Sequence, residues 1–217
     1  MGKLTGGILG PVKGKVGAVV GSVSGGQNIV KSMPASYSDK NSQAQQAQRT
    51  AFRETLSWYK ALAPAAINGF PERASKHSAY NVFMADNINN GVSDQGVDWN
   101  ALNMSKGSLT NPEFTSTATT NDDEAQFSWP NDSDGSSKLD TDLVVLVVIE
   151  PNTKAVFVSD GDYTRADGNA VLQLPAAFAG VDVQTYAYVK RADGRKAATT
   201  KRTGRFLAGS ELAGSVQ

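Results

Sequence analysis

The hydrophobic rhythm of the chain changes twice along its length. Over the first 40 residues, short apolar runs are broken by glycine: Lys15 to Val23 and Gln27 to Met33 read as extended segments around a turn at Ser24, Gly25 and Gly26. From Ser42 the spacing becomes helical. Ala44, Ala47, Ala51, Phe52, Leu56, Tyr59 and Ala63 recur at three and four residues, and Ser42 with Gln45 forms a capping-box pattern. Pro64 predicts the end of this helix. A second helix is expected from Ser75 or Ser78 to Asn90, with Tyr80, Phe83, Met84 and Ile88 on one face and Gly91 as its stop.

From Pro112 onward the period is two. Strands are expected at Glu113 to Thr117, Ala125 to Trp129, Asp142 to Ile149, Lys154 to Val158, Asn169 to Leu174, Val183 to Lys190 and Ala197 to Thr203. Asp-Gly turns at Asp134, Asp160, Asp167 and Asp193 punctuate them, which is the pattern of a β-sandwich. The sequence therefore predicts an α+β chain in four parts: a glycine-rich β arm or hairpin at 1–40, a helical hairpin at 41–107, an antiparallel immunoglobulin-like β-sandwich at 108–207 and a flexible tail at 208–217.

Composition narrows the function. The chain has 217 residues, no cysteine and one histidine, which removes thiolate metal sites, cysteine nucleophiles and mechanisms built on paired imidazoles. The longest apolar run without glycine, Leu143 to Ile149, is far shorter than the roughly 20 residues a membrane-spanning helix needs. Pro11, Lys13 and Lys15 interrupt any signal-peptide core, so synthesis in the cytoplasm is expected, with no membrane span.

The glycine-rich start fails as a phosphate loop: Gly10 and Gly14 are too close, and Val16 follows Lys15 where Ser or Thr is required. GSVSGG fails as a nucleophile elbow, because Val23 stands in the serine position. Asp132, Asp134, Asp140 and Asp142 are oxygen ligands of the type a hard cation takes, yet their spacing departs from an EF-hand, and a solvated acidic loop is the better reading. His77 reads as a surface or capping residue, and the aromatic set Phe52, Trp58, Tyr59, Phe70, Tyr80 and Phe83 as the seam of two packed helices. No catalytic residue, metal ligand or cofactor emerges.

Charge is segmented although it sums to zero. Residues 1–76 carry 10 basic and 3 acidic side chains, residues 77–162 carry 3 and 14, and residues 163–217 carry 8 and 4. Such a distribution suits contact between copies, or a basic end that meets a polyanion. Lys13, Lys15, Lys31, Arg49 and Arg53 are the candidate contact residues, for a protein partner or for phosphates.

Two resemblances add to this reading. FSWPND around Trp129, with LQLP and VQTYAYVKRADGRKAAT further on, resembles a fibronectin type III or related immunoglobulin-like sandwich over Pro112 to Phe206. That likeness implies that Trp129 packs under a strand presenting Val183, Tyr186 or Ala187, and Val189. Phe178 and Val181 stand where the corner tyrosine of such folds is expected. The whole chain also resembles an uncharacterised Bacteroidota family, a domain of unknown function. The residues behind this likeness are GKLTGGILGPVKGKVGAVVG, the series Gln43, Gln46, Arg49 and Phe52, SAYNVFM and GVDVQTYAYVKRADGRKA. It implies phage-like settings and no established activity. The expectation is a non-enzymatic structural or assembly protein that self-associates, with copies of itself or other assembly proteins as partners. The alternative is a nucleic-acid-binding protein using the basic N-terminal portion.

Overall fold

The computed structural model describes residues 3–4, 12–24, 26–33, 36, 39–119 and 123–208. The chain divides into two compact units, 1–42 and 43–217.

The first unit is an antiparallel sheet in the order β1-β2-β3-β4, built from β1 (Lys3–Leu4), β2 (Val12–Val16), β3 (Val19–Ser24) and β4 (Gln27–Ser32). The expected hairpin about Ser24 and Gly26 is present, with Ser24 opposite Gln27. The single extended segment from Lys15 to Val23 is instead two strands. Gly17, at φ +58°, and Ala18 turn the chain between the paired Val16 and Val19. A left-handed residue there closes a two-residue hairpin that an L-side chain would strain.

The second unit holds α1 (Gln43–Gly69), α2 (Ala79–Asn87), a small hairpin of β5 (Val92–Ser93) and β6 (Gly96–Val97), and seven further strands. These are β7 (Thr115–Ala118), β8 (Glu124–Ser128), β9 (Leu143–Glu150), β10 (Ala155–Thr164), β11 (Asn169–Gln173), β12 (Asp182–Lys190) and β13 (Lys201–Leu207). They form two antiparallel sheets, β11-β8-β7 and β10-β9-β12-β13. The first, second and fifth of these strands lie in one sheet and the third, fourth, sixth and seventh in the other, an arrangement compatible with a β-sandwich.

The core between the sheets contains Phe127 and Trp129, Val144, Leu146 and Val148 of β9, and Val183, Ala187 and Val189 of β12. Ala187, and not Tyr186, therefore faces the tryptophan. The other face of the four-stranded sheet is covered as well: Val145, Val147, Ile149, Tyr186 and Tyr188 share a second core with Trp58, Leu62, Phe70 and Phe83 of the helical segment. Helices, large sheet and small sheet form three layers, and the change of periodicity near residue 108 falls inside this one unit.

Two helix boundaries differ from expectation. Helix α1 runs through Pro64 to Gly69. Pro64 is exposed, so the carbonyl that has no N–H partner lies on the solvent side, while Ala65, Ala66 and Gly69 beyond it are buried. Packing of that last turn outweighs the missing bond. Helix α2 starts at the Ser78 cap, whose hydroxyl accepts from the Asn81 N–H at 3.2 Å, and ends at Asn87 ahead of the expected Asn90. Gly91 is no helix stop; a Cβ there would lie 2.8 Å from both Asn87 Oδ1 and the Leu102 Cα. At the other end, Ala208, expected in the loose tail, is buried and donates its N–H to the Val181 carbonyl at 3.0 Å. The rest of the expected tail lies outside the described residues.

Candidate functional site

Strand register fixes what the N-terminal sheet presents. Val16 lies opposite Val19, Gly21 opposite Val30 and Val23 opposite Asn28. Directly paired residues share a face, so Val16, Val19, Val23 and Val30 all point to one side. They are 43%, 37%, 44% and 58% exposed, a cluster of apolar side chains left in water. At its centre Gly21 is buried, because the β2 backbone closes over it: a Cβ at Gly21 would lie 2.0 Å from the Val12 carbonyl oxygen. Gly14, at φ +89°, bends β2 just after Val12 and Lys13.

The opposite face is mixed. Lys15 pairs with Val20, which pairs with Lys31, so the two lysines flank Val20 in one row. Two strand spacings separate them, about 10 Å between backbones. Lys13 lies beyond the bend at Gly14 and outside that row, though it too is exposed. Arg49 and Arg53 belong to the other unit, one turn apart and exposed on α1, beside Gln48 and the 44% exposed Phe52. The five candidates thus fall into a lysine pair, a lone lysine and an arginine pair.

The remaining aromatic residues of the set are core or close to it. Trp58, Phe70 and Phe83 are buried, and Tyr59 stacks edge-on with Tyr80 at 5.0 Å. His77 is exposed in the turn before α2, its N–H donated to the Ala74 carbonyl at 2.8 Å, while Ser78 provides the cap.

The acidic segment 132–142 is organised from within. Asp132 binds Lys138 Nζ at 2.7 Å and the Arg165 guanidinium, whose Nη2 also donates to the Thr110 carbonyl at 2.8 Å. Asp142 and Arg165 are both fully buried, 3.5 Å apart, and Arg191 approaches Asp142 at 3.1 Å. Burial opposes ionisation of Asp132, but hydrogen bonds from Lys138 and Arg165 outweigh it and hold the carboxyl below its usual range. Hydrogen bonds from Ser137, Lys138 and Ser136 depress Asp134 further. Among the described residues no group of His, Cys, Asp or Glu side chains is arranged to hold a metal ion. Nothing in the sequence marked Arg165 as a buried charge; it follows the polar stretch Ser159 to Thr164 and precedes Asp167-Gly168, which reads as a surface turn.

The match that places this chain among known proteins covers residues 11–204, from the glycine-rich arm through both helices and all but the end of β13. The chain belongs to a family of unknown function, DUF6266. No curated protein matches it. The DUF6266 region therefore reaches into both compact units and includes β2, β3 and β4 of the N-terminal sheet. No helix among its described residues is long and apolar enough to cross a membrane.

Proposed function

We propose that this DUF6266 chain is a non-enzymatic assembly protein, made in the cytoplasm, that associates with copies of itself through its N-terminal sheet. The observation that carries the reading is the valine face. Four valines stand 37–58% exposed on one side of a sheet that forms a compact unit by itself. A sheet with one apolar face reaches stability by packing that face against another layer. The body 43–217 already buries both faces of its large sheet and has its own two cores. A repeated assembly of virion type is the concrete setting implied by the phage-like resemblance. The untagged full chain, measured by light scattering together with its ultraviolet absorbance ratio, tests this: oligomers free of nucleic acid support it, and a monomer at all concentrations rejects it.

The second reading, non-specific nucleic-acid binding, draws on the Lys15–Val20–Lys31 row, which sets two cations on one face where their long side chains can reach phosphates. Changing Lys13, Lys15 and Lys31 together to alanine would then lower affinity equally for unrelated sequences. It would also flatten the salt dependence, by about 0.7 to 0.9 in log-log slope for each phosphate no longer neutralised. Absence of binding to DNA or RNA at low salt removes this reading.

A further inference from the structure

The outer edge of β4 is the feature that selects a partner. In the β3–β4 hairpin, the Met33 N–H donates to the Ala18 carbonyl at 2.8 Å, which fixes the phase of the ladder. Counting from that pair, Val20–Lys31, Ser22–Ile29 and Ser24–Gln27 exchange hydrogen bonds, and Val19–Ser32, Gly21–Val30 and Val23–Asn28 do not. The N–H and C=O groups of Asn28, Val30 and Ser32 therefore point away from β3. No described strand lies on that side, because β4 ends the sheet.

Sheet edges are normally blunted by proline, bulges, shortness or repeated charge. The opposite edge, β1, has two residues. In the second unit, edge strand β10 carries a register shift between Asp160 and Tyr163, and β13 leans on β7 through the Thr203–Ser116 hydroxyl contact at 3.1 Å. Strand β4 has none of these devices: its six residues, QNIVKS, pair without a bulge and contain one charge.

We infer that β4 pairs antiparallel with β4 of a second copy, about a two-fold axis through Val30. This register sets Val30 opposite Val30 of the second copy, Asn28 opposite Ser32, and Ile29 opposite Lys31. It uses all three outward-facing residues, and each lysine meets an isoleucine rather than the other lysine. That matters because unit 1–42 holds five basic side chains and one acidic, a net +4 that disfavours any pairing of lysine on lysine. The two valine faces then join into one. A single face covers only about 250 Å² in plan, well under the ~800 Å² each partner gives to a standard interface. Two joined faces packed on another such pair bury at most about 1,000 Å² in all, since β2 already covers Gly21 at the centre of each face, and about 1,000 Å² is the lower bound for a specific interface.

This inference rests on the self-association proposed above, and the test separates the two. The chain lacks cysteine, so single cysteines placed in β4 report only on the pairing. With Val30 on the axis, Cα atoms of opposed residues lie about 5.5 Å apart, inside disulfide range. Val30→Cys in the full chain should give a disulfide-linked dimer under mild oxidation, and Asn28→Cys, four residues out of register with itself, should give at least tenfold less. Asn28→Pro removes only an outward N–H, and should lower the solution mass while leaving the far-ultraviolet spectrum unchanged. An oligomer that survives Asn28→Pro, or that crosslinks equally at 28 and 30, overturns edge pairing and leaves self-association standing. A chain that is monomeric throughout and forms no Val30→Cys dimer overturns both.

Discussion

The Tyr188 hydroxyl donates to the Ala65 carbonyl at 2.8 Å, joining the C-terminal part of β12 to the end of α1 across 123 residues of sequence. Two residues earlier, Tyr186 donates to the carbonyl of Trp99, in the turn after β6, at 2.7 Å. Burial first, reinforced by nearby acidic charge, raises the ionisation of Tyr188 above the usual tyrosine range, so it stays a donor at any ordinary pH. The helical layer is bound to the sandwich by directed bonds as well as by apolar contact.

Tyr188→Phe should therefore cost on the order of 1 kcal/mol, the usual net value of one hydrogen bond, with a further penalty for the carbonyl left buried. Urea unfolding followed by tryptophan fluorescence and by far-ultraviolet circular dichroism checks it, and the two probes should coincide. Separate transitions for helices and strands would contradict a shared core.

A fragment beginning near residue 108 should fold poorly. Removing the helices uncovers Val145, Val147, Ile149, Tyr186 and Tyr188, all at most 1% exposed in the whole chain. Expression of 108–208 beside 43–208, compared for solubility and for urea midpoint, should favour the longer piece.

The core between the two sheets depends on a tryptophan and a buried charge in contact. Trp129 Nε1 donates to the Arg165 carbonyl at 3.0 Å, and Arg165 faces the fully buried Asp142. Trp129→Ala should cost about 3 to 5 kcal/mol, as core aromatics do. Arg165→Ala should cost about as much, because Asp142 is left buried with less compensation. The two share a site, so the double variant should lose less than the sum. Urea midpoints of the four proteins make the cycle.

Acid should weaken the fold below about pH 4. Burial disfavours ionisation of Asp132 and Glu150, yet hydrogen bonds reverse the balance and depress both carboxyls when folded. A carboxyl held low in the folded state adds stability above its unfolded value near 4, and that stability fades as pH falls through the folded value. Asp132→Asn should flatten the loss between pH 5 and pH 2. Parallel curves of urea midpoint against pH for the two proteins would remove Asp132 from the account.

Much of this fold is legible in the sequence. Six of the seven sandwich strands follow from alternation and Asp-Gly turns, since a strand with one wet face writes its period into the chain. Strand β9 is the telling exception. LVVLVVIE shows no alternation, and seven of its eight residues are buried, which is the mark of a strand covered on both sides. That run is where a second layer over the sheet is written into the sequence, although it reads there only as a strand. The extension of α1 past Pro64 was hidden, because its cause is the burial of Ala65 and Ala66 by residues far away in sequence. The valine face was hidden for a different reason. Gly21 interrupts the alternation of Val19 and Val23, and only the closure of β2 over that glycine explains why it is there.

Gly21→Ala should accordingly disrupt the N-terminal sheet and spare the body. The added methyl meets the Val12 carbonyl carbon at 2.6 Å as well as its oxygen, backbone atoms that have no rotamer to escape through. Hydrogen exchange should speed up across residues 12–32 and stay unchanged in β9 and β12.

The central claim is that the valine face and its sheet join copies of the chain. Val19→Glu with Val23→Glu puts two carboxylates on that face, where both parent side chains are more than a third exposed and bear little on the body's own stability. The deciding measurement is the solution mass of the full chain and of this variant, by light scattering over a range of concentrations. The account predicts a multiple of the 22.9 kDa chain for the parent and a single chain for the variant, with equal urea midpoints for the body. The same mass for both proteins would contradict it.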